Sequence, residues 1–247
     1  MVYKVTKIMK TIYYASCLPP NLYYKDYLLY QEPDSLYKDL LKDKDKSNDY
    51  NNYLDCPAFL KFIQNSFVVR SPYTCDLDID YNSGSFLRNG SADEITEHFT
   101  PRPSCRENHM MFNLYHNFIF YSEDSIEMST TPAFMHHSEL QSKCTYIPGT
   151  YDVSKWFRMV DGAFEMNMSF NQLLLQRGDP IYYVKFNTTD TVKLVRFDLT
   201  QELWNLTQGC IQYKKYQPQK PLNYLYKLFA HTGMNKLILK KIKENLI

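Results

Sequence analysis

The feature that most restricts the fold is a recurring period of two in the apolar residues. Phe164, Met166, Met168 and Phe170 alternate with Glu165, Asn167 and Ser169, and Leu77, Ile79 and Tyr81 alternate with Asp76, Asp78 and Asp80. Successive strand side chains point to opposite faces, so this spacing predicts half-buried strands and is incompatible with an amphipathic helix. Further strands are expected over residues 2–16 (Val2, Val5, Ile8, Ile12), 67–69, 109–121, 125–135, 151–158, 163–170, 181–186 and 192–197. Turn residues separate them: Pro19-Pro20, Asn82-Ser83-Gly84, Pro148-Gly149 and Arg177-Gly178-Asp179-Pro180. Residues 90–108 are polar, contain Pro101 and Pro103, and read as a long connection.

After Phe197 the period changes. Residues 199–216 suit a helix capped by Thr200, with Glu202 near its start and Gly209 as a weak point. Pro218 and Pro221 interrupt it, and Leu225, Leu228, Phe229, Leu237, Ile238, Ile242 and Leu246 then recur at helical spacing. Short helices are also expected over residues 34–42, with Leu36, Leu40 and Leu41 on one face, and from Pro57 onward with Phe59, Leu60 and Ile63. The solvated stretch over residues 41–52 reads as a loop. The expected fold is mainly β, an antiparallel β-sandwich, jelly-roll or β-clip with short helices and a helical C-terminal segment. Residues 1–198 would form the β-rich domain, and residues 199–247 a helical, basic segment packed on it.

Tyr (22 residues) and Phe (15 residues) are abundant, which suits strands, sticky interfaces and an AT-rich gene alike. Net charge is +1, so no global field drives the chain to nucleic acid or anionic membrane. The exception is local: Lys214, Lys215, Lys220, Lys227, Lys236, Lys240, Lys241 and Lys243 crowd the C-terminal end, where Glu244 is the one acid after Tyr213. Such a patch suits an acidic partner or nucleic acid; an amphipathic helix with a wet lysine face explains it as well. None of the six cysteines forms a C-x-x-C pair, the N-terminus lacks a convincing signal segment, and no uncharged apolar run reaches membrane-spanning length. His136 and His137 are adjacent, and Glu107, His109, Glu139 and Asp152 would meet only through tertiary folding, so no metal site is expected. Nucleophile-elbow, P-loop and dinucleotide motifs are missing.

One stretch carries a resemblance. Gly149-Thr150-Tyr151-Asp152, then Trp156, then Gly162 with Phe164, Met166 and Met168, and finally Arg177-Gly178-Asp179-Pro180-Ile181 resemble the hairpin and following turn of dUTPase-type β-clip proteins over residues 147–186. The resemblance implies Asp152 as general base toward an attacking water and Trp156 or Phe157 as the stacking partner of a base. Trp156, Phe157 and Arg158 would also suit a protein interface, since Trp, Tyr and Arg dominate hot spots; Arg177 and Asp179 of the turn complete the candidate binding residues, and magnesium would enter only with a nucleotide. The segment from aspartate to glycine is longer here, Thr131-Pro132-Ala133 stands where a proline-arginine-serine motif is expected, and a helical tail replaces a glycine-rich arm. Trp156-Phe157-Arg158, Arg177-Gly178-Asp179-Pro180-Ile181 and CPAF…SFVVRSPY also resemble a group of bacteriophage and bacterial proteins. The resulting expectation is a phage-encoded interaction or structural module that binds a protein partner or its own copies. It would need no cofactor, and its setting would be an infected bacterial cytoplasm or a virion. A nucleotide-binding protein or hydrolase of the β-clip type is the first alternative, and a metal-dependent jelly-roll enzyme the second.

Overall fold

The computed structural model describes residues 8–17, 31–44, 53–72, 74–81, 85–88, 102–114 and 118–247. In chain order the strands begin with β1 (Met9–Ser16), β2 (Asp34–Ser35), β3 (Ser66–Arg70), β4 (Cys75–Asp80) and β5 (Ser85–Arg88). Next come β6 (Arg102–Pro103), β7 (His109–Leu114), β8 (Phe118–Tyr121), β9 (Glu127–Pro132) and β10 (Cys144–Ile147). The last are β11 (Gly149–Asp152), β12 (Gly162–Asn167), β13 (Gln172–Leu175), β14 (Pro180–Phe186) and β15 (Thr191–Arg196). The helices are α1 (Leu36–Lys44), α2 (Pro57–Ile63), α3 (Glu139–Lys143), α4 (Gln201–Tyr216), α5 (Leu222–His231) and α6 (Met234–Glu244). The fold is therefore mainly β with short helices and a helical C-terminal segment.

Among the described residues the strands form four open sheets, ordered β11-β9-β14-β3-β2, β10-β12-β7-β6, β13-β4-β5 and β15-β1-β8. The first three are antiparallel. The fourth is mixed: β1 runs parallel to β15, with Met9 opposite Thr191, and antiparallel to β8. This sheet is a wall with two covered faces. Ile12, Tyr14, Phe118 and Phe120 join the main core with Phe112, Phe164, Met166, Tyr182 and Val184. The alternate residues Tyr13, Ala15, Ile119 and Tyr121 face a second core, shared with Leu203, Leu225, Phe229, Ile238 and Ile242 of α4, α5 and α6. Burial on both faces explains why β8 reads as an unbroken apolar run. A third cluster holds α1 and α2 against β3 and β14 through Leu36, Leu40, Ile63, Val68 and Tyr183.

Several sequence expectations need correction. Residues 109–121 do not form one strand: β7 lies in the β10-β12-β7-β6 sheet and β8 in the two-faced wall, so a single apolar run serves two sheets. The strand expected over 151–158 stops at Asp152, where Asp152 makes a turn with Ser154 and Lys155. The strand expected to Phe170 ends at Asn167, leaving Met168 and Phe170 more than a third exposed. Glu165 is buried rather than outward, because Ser104 donates to it and Arg106 pairs with it at 3.0 Å. Strands β5, β10 and β13 and helix α3 have no counterpart in the sequence expectations; β2 takes the first two residues expected to be helical, and β6 lies within the expected 90–108 connection. The loop expected over residues 41–52 begins as helix, since 41–44 belong to α1. Val2, Val5, Pro19, Pro20, the Asn82-Ser83-Gly84 turn, most of the 90–108 connection and residues 45–52 lie outside the described residues.

Candidate functional site

The three C-terminal helices build a groove. Thr200 caps α4 as its sequence suggests, its hydroxyl accepting from the Leu203 N–H at 3.4 Å. Glu202, in the first turn of α4, pairs with Lys241 of α6 at 3.0 Å and ties the two helices together. Pro221 precedes α5, and Gly233, at φ +70°, makes the tight turn into α6 that a residue with a Cβ disfavours. Leu225, Phe229, Ile238 and Ile242 then bury inward against the wall.

These helices do not close completely. Between α4, α5 and the start of α6 lies an apolar groove of about 340 Å³, with Trp156 of the β11–β12 connection at its base. Gly209, Cys210 and Tyr213 line it from α4, Leu228 and Phe229 from α5, and Met234 from α6. Its volume and apolar lining with a few polar groups are those of a ligand site. Gly209 lines it and is exposed. A Cβ built there meets nothing within 4 Å, so no packing contact or backbone conformation demands glycine in the middle of this helix. Cys210 is buried, and burial pushes its thiol up to about 12. A thiol held protonated is a poor nucleophile. Residues 199–247, which form the groove's three helices, carry eight lysines against two glutamates.

A second constellation lies in the third cluster. Arg70 pairs with the Asp39 carboxylate at 2.6 Å and donates to the Gly178 carbonyl at 2.7 Å. His136 meets Asp39 through Nε2 at 2.9 Å and the Tyr183 hydroxyl through Nδ1 at 2.5 Å. Burial pushes the Asp39 carboxyl up, but hydrogen bonds and charge from His136 and Arg70 outweigh it and hold the group below the usual carboxylate range. Both ring nitrogens of His136 are engaged, so the network spends its polar groups on joining α1, β3, β14 and the turn before β14.

The candidate residues of the β-clip-like stretch fall into separate surroundings. Asp152 accepts from Ser125 Oγ at 2.7 Å, from Ser154 N and Oγ at 3.0 and 2.7 Å, and from Lys155. Burial pushes its carboxyl up, and these donors, Lys155 foremost, hold it below the ordinary range. Trp156 and Phe157 are buried, not presented to a partner as a stacking surface. Trp156 packs edge-on against Tyr226 at 5.3 Å, and Phe157 against Tyr121 at 5.4 Å. Arg158 pairs with Asp161 at 3.0 Å. Arg177 and Asp179 belong to the β13–β14 turn, where Gly178 takes φ +91° and both Gly178 and Asp179 exchange backbone hydrogen bonds with Ser71 at 2.8 Å. Of these candidates, Trp156 lines the groove. Sequence reasoning missed Gly209 as anything but a flaw in a helix, although a glycine amid good helix formers was the available signal.

Among the described residues no helix is long and apolar enough to cross a membrane. Comparisons with family models, curated proteins and solved structures find no match to this chain.

Proposed function

We propose that this chain is an interaction module that works by binding a protein partner in the groove between its C-terminal helices. The observation that carries the reading is the apolar slot of about 340 Å³ between the C-terminal helices, where Gly209 places no side chain. Interfaces concentrate their energy in large apolar or aromatic anchors seated in such pockets, surrounded by polar groups that exclude water. The lysine-rich C-terminal segment that forms the groove favours a partner whose anchor is flanked by acidic residues. The resemblance to bacteriophage proteins makes an infected bacterium or a virion the setting in which that partner is met.

The test is a selection of displayed peptides on the full chain, counter-selected on Gly209→Leu. Enrichment of peptides with a large apolar residue beside acidic ones, lost on the filled variant, supports the groove as the partner site. Enrichment that ignores the variant, or none at all, rules that site out.

A further inference from the structure

We infer that the turn joining α4 to α5 is a second binding surface, one that takes single-stranded nucleic acid by stacking bases on Tyr216 and Tyr224 and holding phosphates with the lysines around them. The inference stands apart from the groove, since none of these residues lines it. It starts from how the eight lysines after Tyr213 are paired. Lys240, Lys241 and Lys243, at the end of α6, meet Glu244, Glu202 and Glu123. Lys214, Lys215, Lys220 and Lys227, around the turn, have no ion-pair partner among the described residues. No acid occurs in the sequence between Glu202 and Glu244. Cations gathered in this way repel one another, and an anionic ligand relieves them. Net charge is +1, so the attraction is confined to this end of the chain.

Helix geometry brings the two tyrosines together. Tyr216 follows Tyr213 by three residues on α4, and Tyr224 precedes Leu228 by four on α5. Side chains at these spacings share a helix face. Tyr213 lines the groove from α4 and Leu228 lines it from α5. Tyr216 and Tyr224 therefore flank the end of the same cleft, next to the turn. Both are open to solvent, Tyr216 at 82% and Tyr224 at 45% exposed. Tyr216 makes no side-chain hydrogen bond or ring contact with the described residues.

The lysines are held beside these rings. Lys214 Nζ donates to the carbonyls of Pro218 and Lys220 at 3.4 and 3.2 Å. Lys220 Nζ sits 5.1 Å from the centre of the Tyr224 ring. Lys227 follows Tyr224 by three residues and shares its face of α5. An amphipathic helix needs lysines on its wet face but not exposed tyrosines. Rings interleaved with unpaired cations match a single strand, whose bases offer faces to stack and whose phosphates offer charge. An acidic protein would satisfy the lysines and leave the rings without flat partners.

The experiment is fluorescence anisotropy on the full chain with labelled oligothymidine and oligouridine of about ten nucleotides, within the usual span of a single-strand site. An abasic oligomer of the same phosphate count and an oligoglutamate serve as comparisons. At least one of the two nucleic acids should bind fivefold or more tightly than the abasic oligomer, about the least that one stacked base supplies, and the tighter of the two identifies the sugar. Raising salt from about 50 to about 200 mM should weaken binding about thirtyfold, as counterion release from about three to four phosphates requires. Tyr216→Ala, at an exposed position, should weaken the nucleic acid about fivefold and leave the abasic oligomer unchanged. Lys215→Gln with Lys227→Gln should weaken both and flatten the salt dependence. No binding at low salt, equal affinity for the abasic oligomer, or indifference to Tyr216→Ala overturns the inference. So does oligoglutamate bound as tightly as the nucleic acids, which would make the turn a surface for acidic proteins. These readouts do not involve the groove, so this experiment and the displayed selection succeed or fail separately.

Discussion

Asp39 lies where Arg70, His136 and, at 3.7 Å, Lys42 converge, and its side chain is 8% exposed. Its carboxyl is depressed in the folded chain, so the stability it contributes is complete above the unfolded value of about 4 and is lost as pH falls through the lower folded value. Thermal unfolding followed from pH 6 down to pH 2 should therefore show a loss in wild type that is smaller in Asp39→Asn; parallel curves would mean that the carboxylate is not held by its partners. At neutral pH the same substitution leaves Arg70 facing an uncharged partner in a part-buried site, and urea unfolding should report a loss of about 3 kcal/mol. None of this was legible in the sequence. Asp39 and His136 are 97 residues apart, and no local spacing announces a pair that only tertiary folding assembles. The same holds for Trp156 and Phe157, whose aromatic character suggested a surface until α4, α5 and α6 were seen to cover them.

At the scale of elements, two glycines should respond in opposite directions. Gly209→Ala replaces a helix-interior glycine in open space and should raise stability by about 1 kcal/mol. Gly178→Ala forces a Cβ onto a residue at φ +91° and should lower it by about 1 kcal/mol or more. Denaturant midpoints of the two variants check both signs together. Strands with one wet face were the easiest elements to read. In β4, Cys75, Leu77 and Ile79 are buried while Asp76 is exposed, as the period of two predicts. Elements buried on both faces or shorter than five residues were harder. The apolar run through 109–121 carries no mark of where one sheet ends and the next begins, and β10 and β13 are too short for alternation to declare itself. The C-terminal helices were legible because prolines and a capping threonine punctuate a clear helical period.

For the whole molecule, the β15-β1-β8 wall couples the β core to the helical end, since each face of the same strands serves one of them. Phe157 is fully buried between Tyr121 and Phe197 on the helical side. Phe157→Ala should cost about 3–5 kcal/mol. It should also lower the unfolding of strands and helices as one transition, read by circular dichroism at helix and strand wavelengths; separate transitions would show that the wall does not couple them. The groove on the outer side of this arrangement is the partner site we propose, and the chain's two tryptophans test that proposal. Trp156 lines the groove, whereas Trp204 packs, partly buried, against the second core outside that lining. Labelling with 5-fluorotryptophan and adding the most enriched peptide from the displayed selection should shift the Trp156 fluorine resonance, leave Trp204 in place, and shift neither in Gly209→Leu. A peptide that binds without moving Trp156, or moves it equally in the filled variant, would show that the partner is held elsewhere on the molecule.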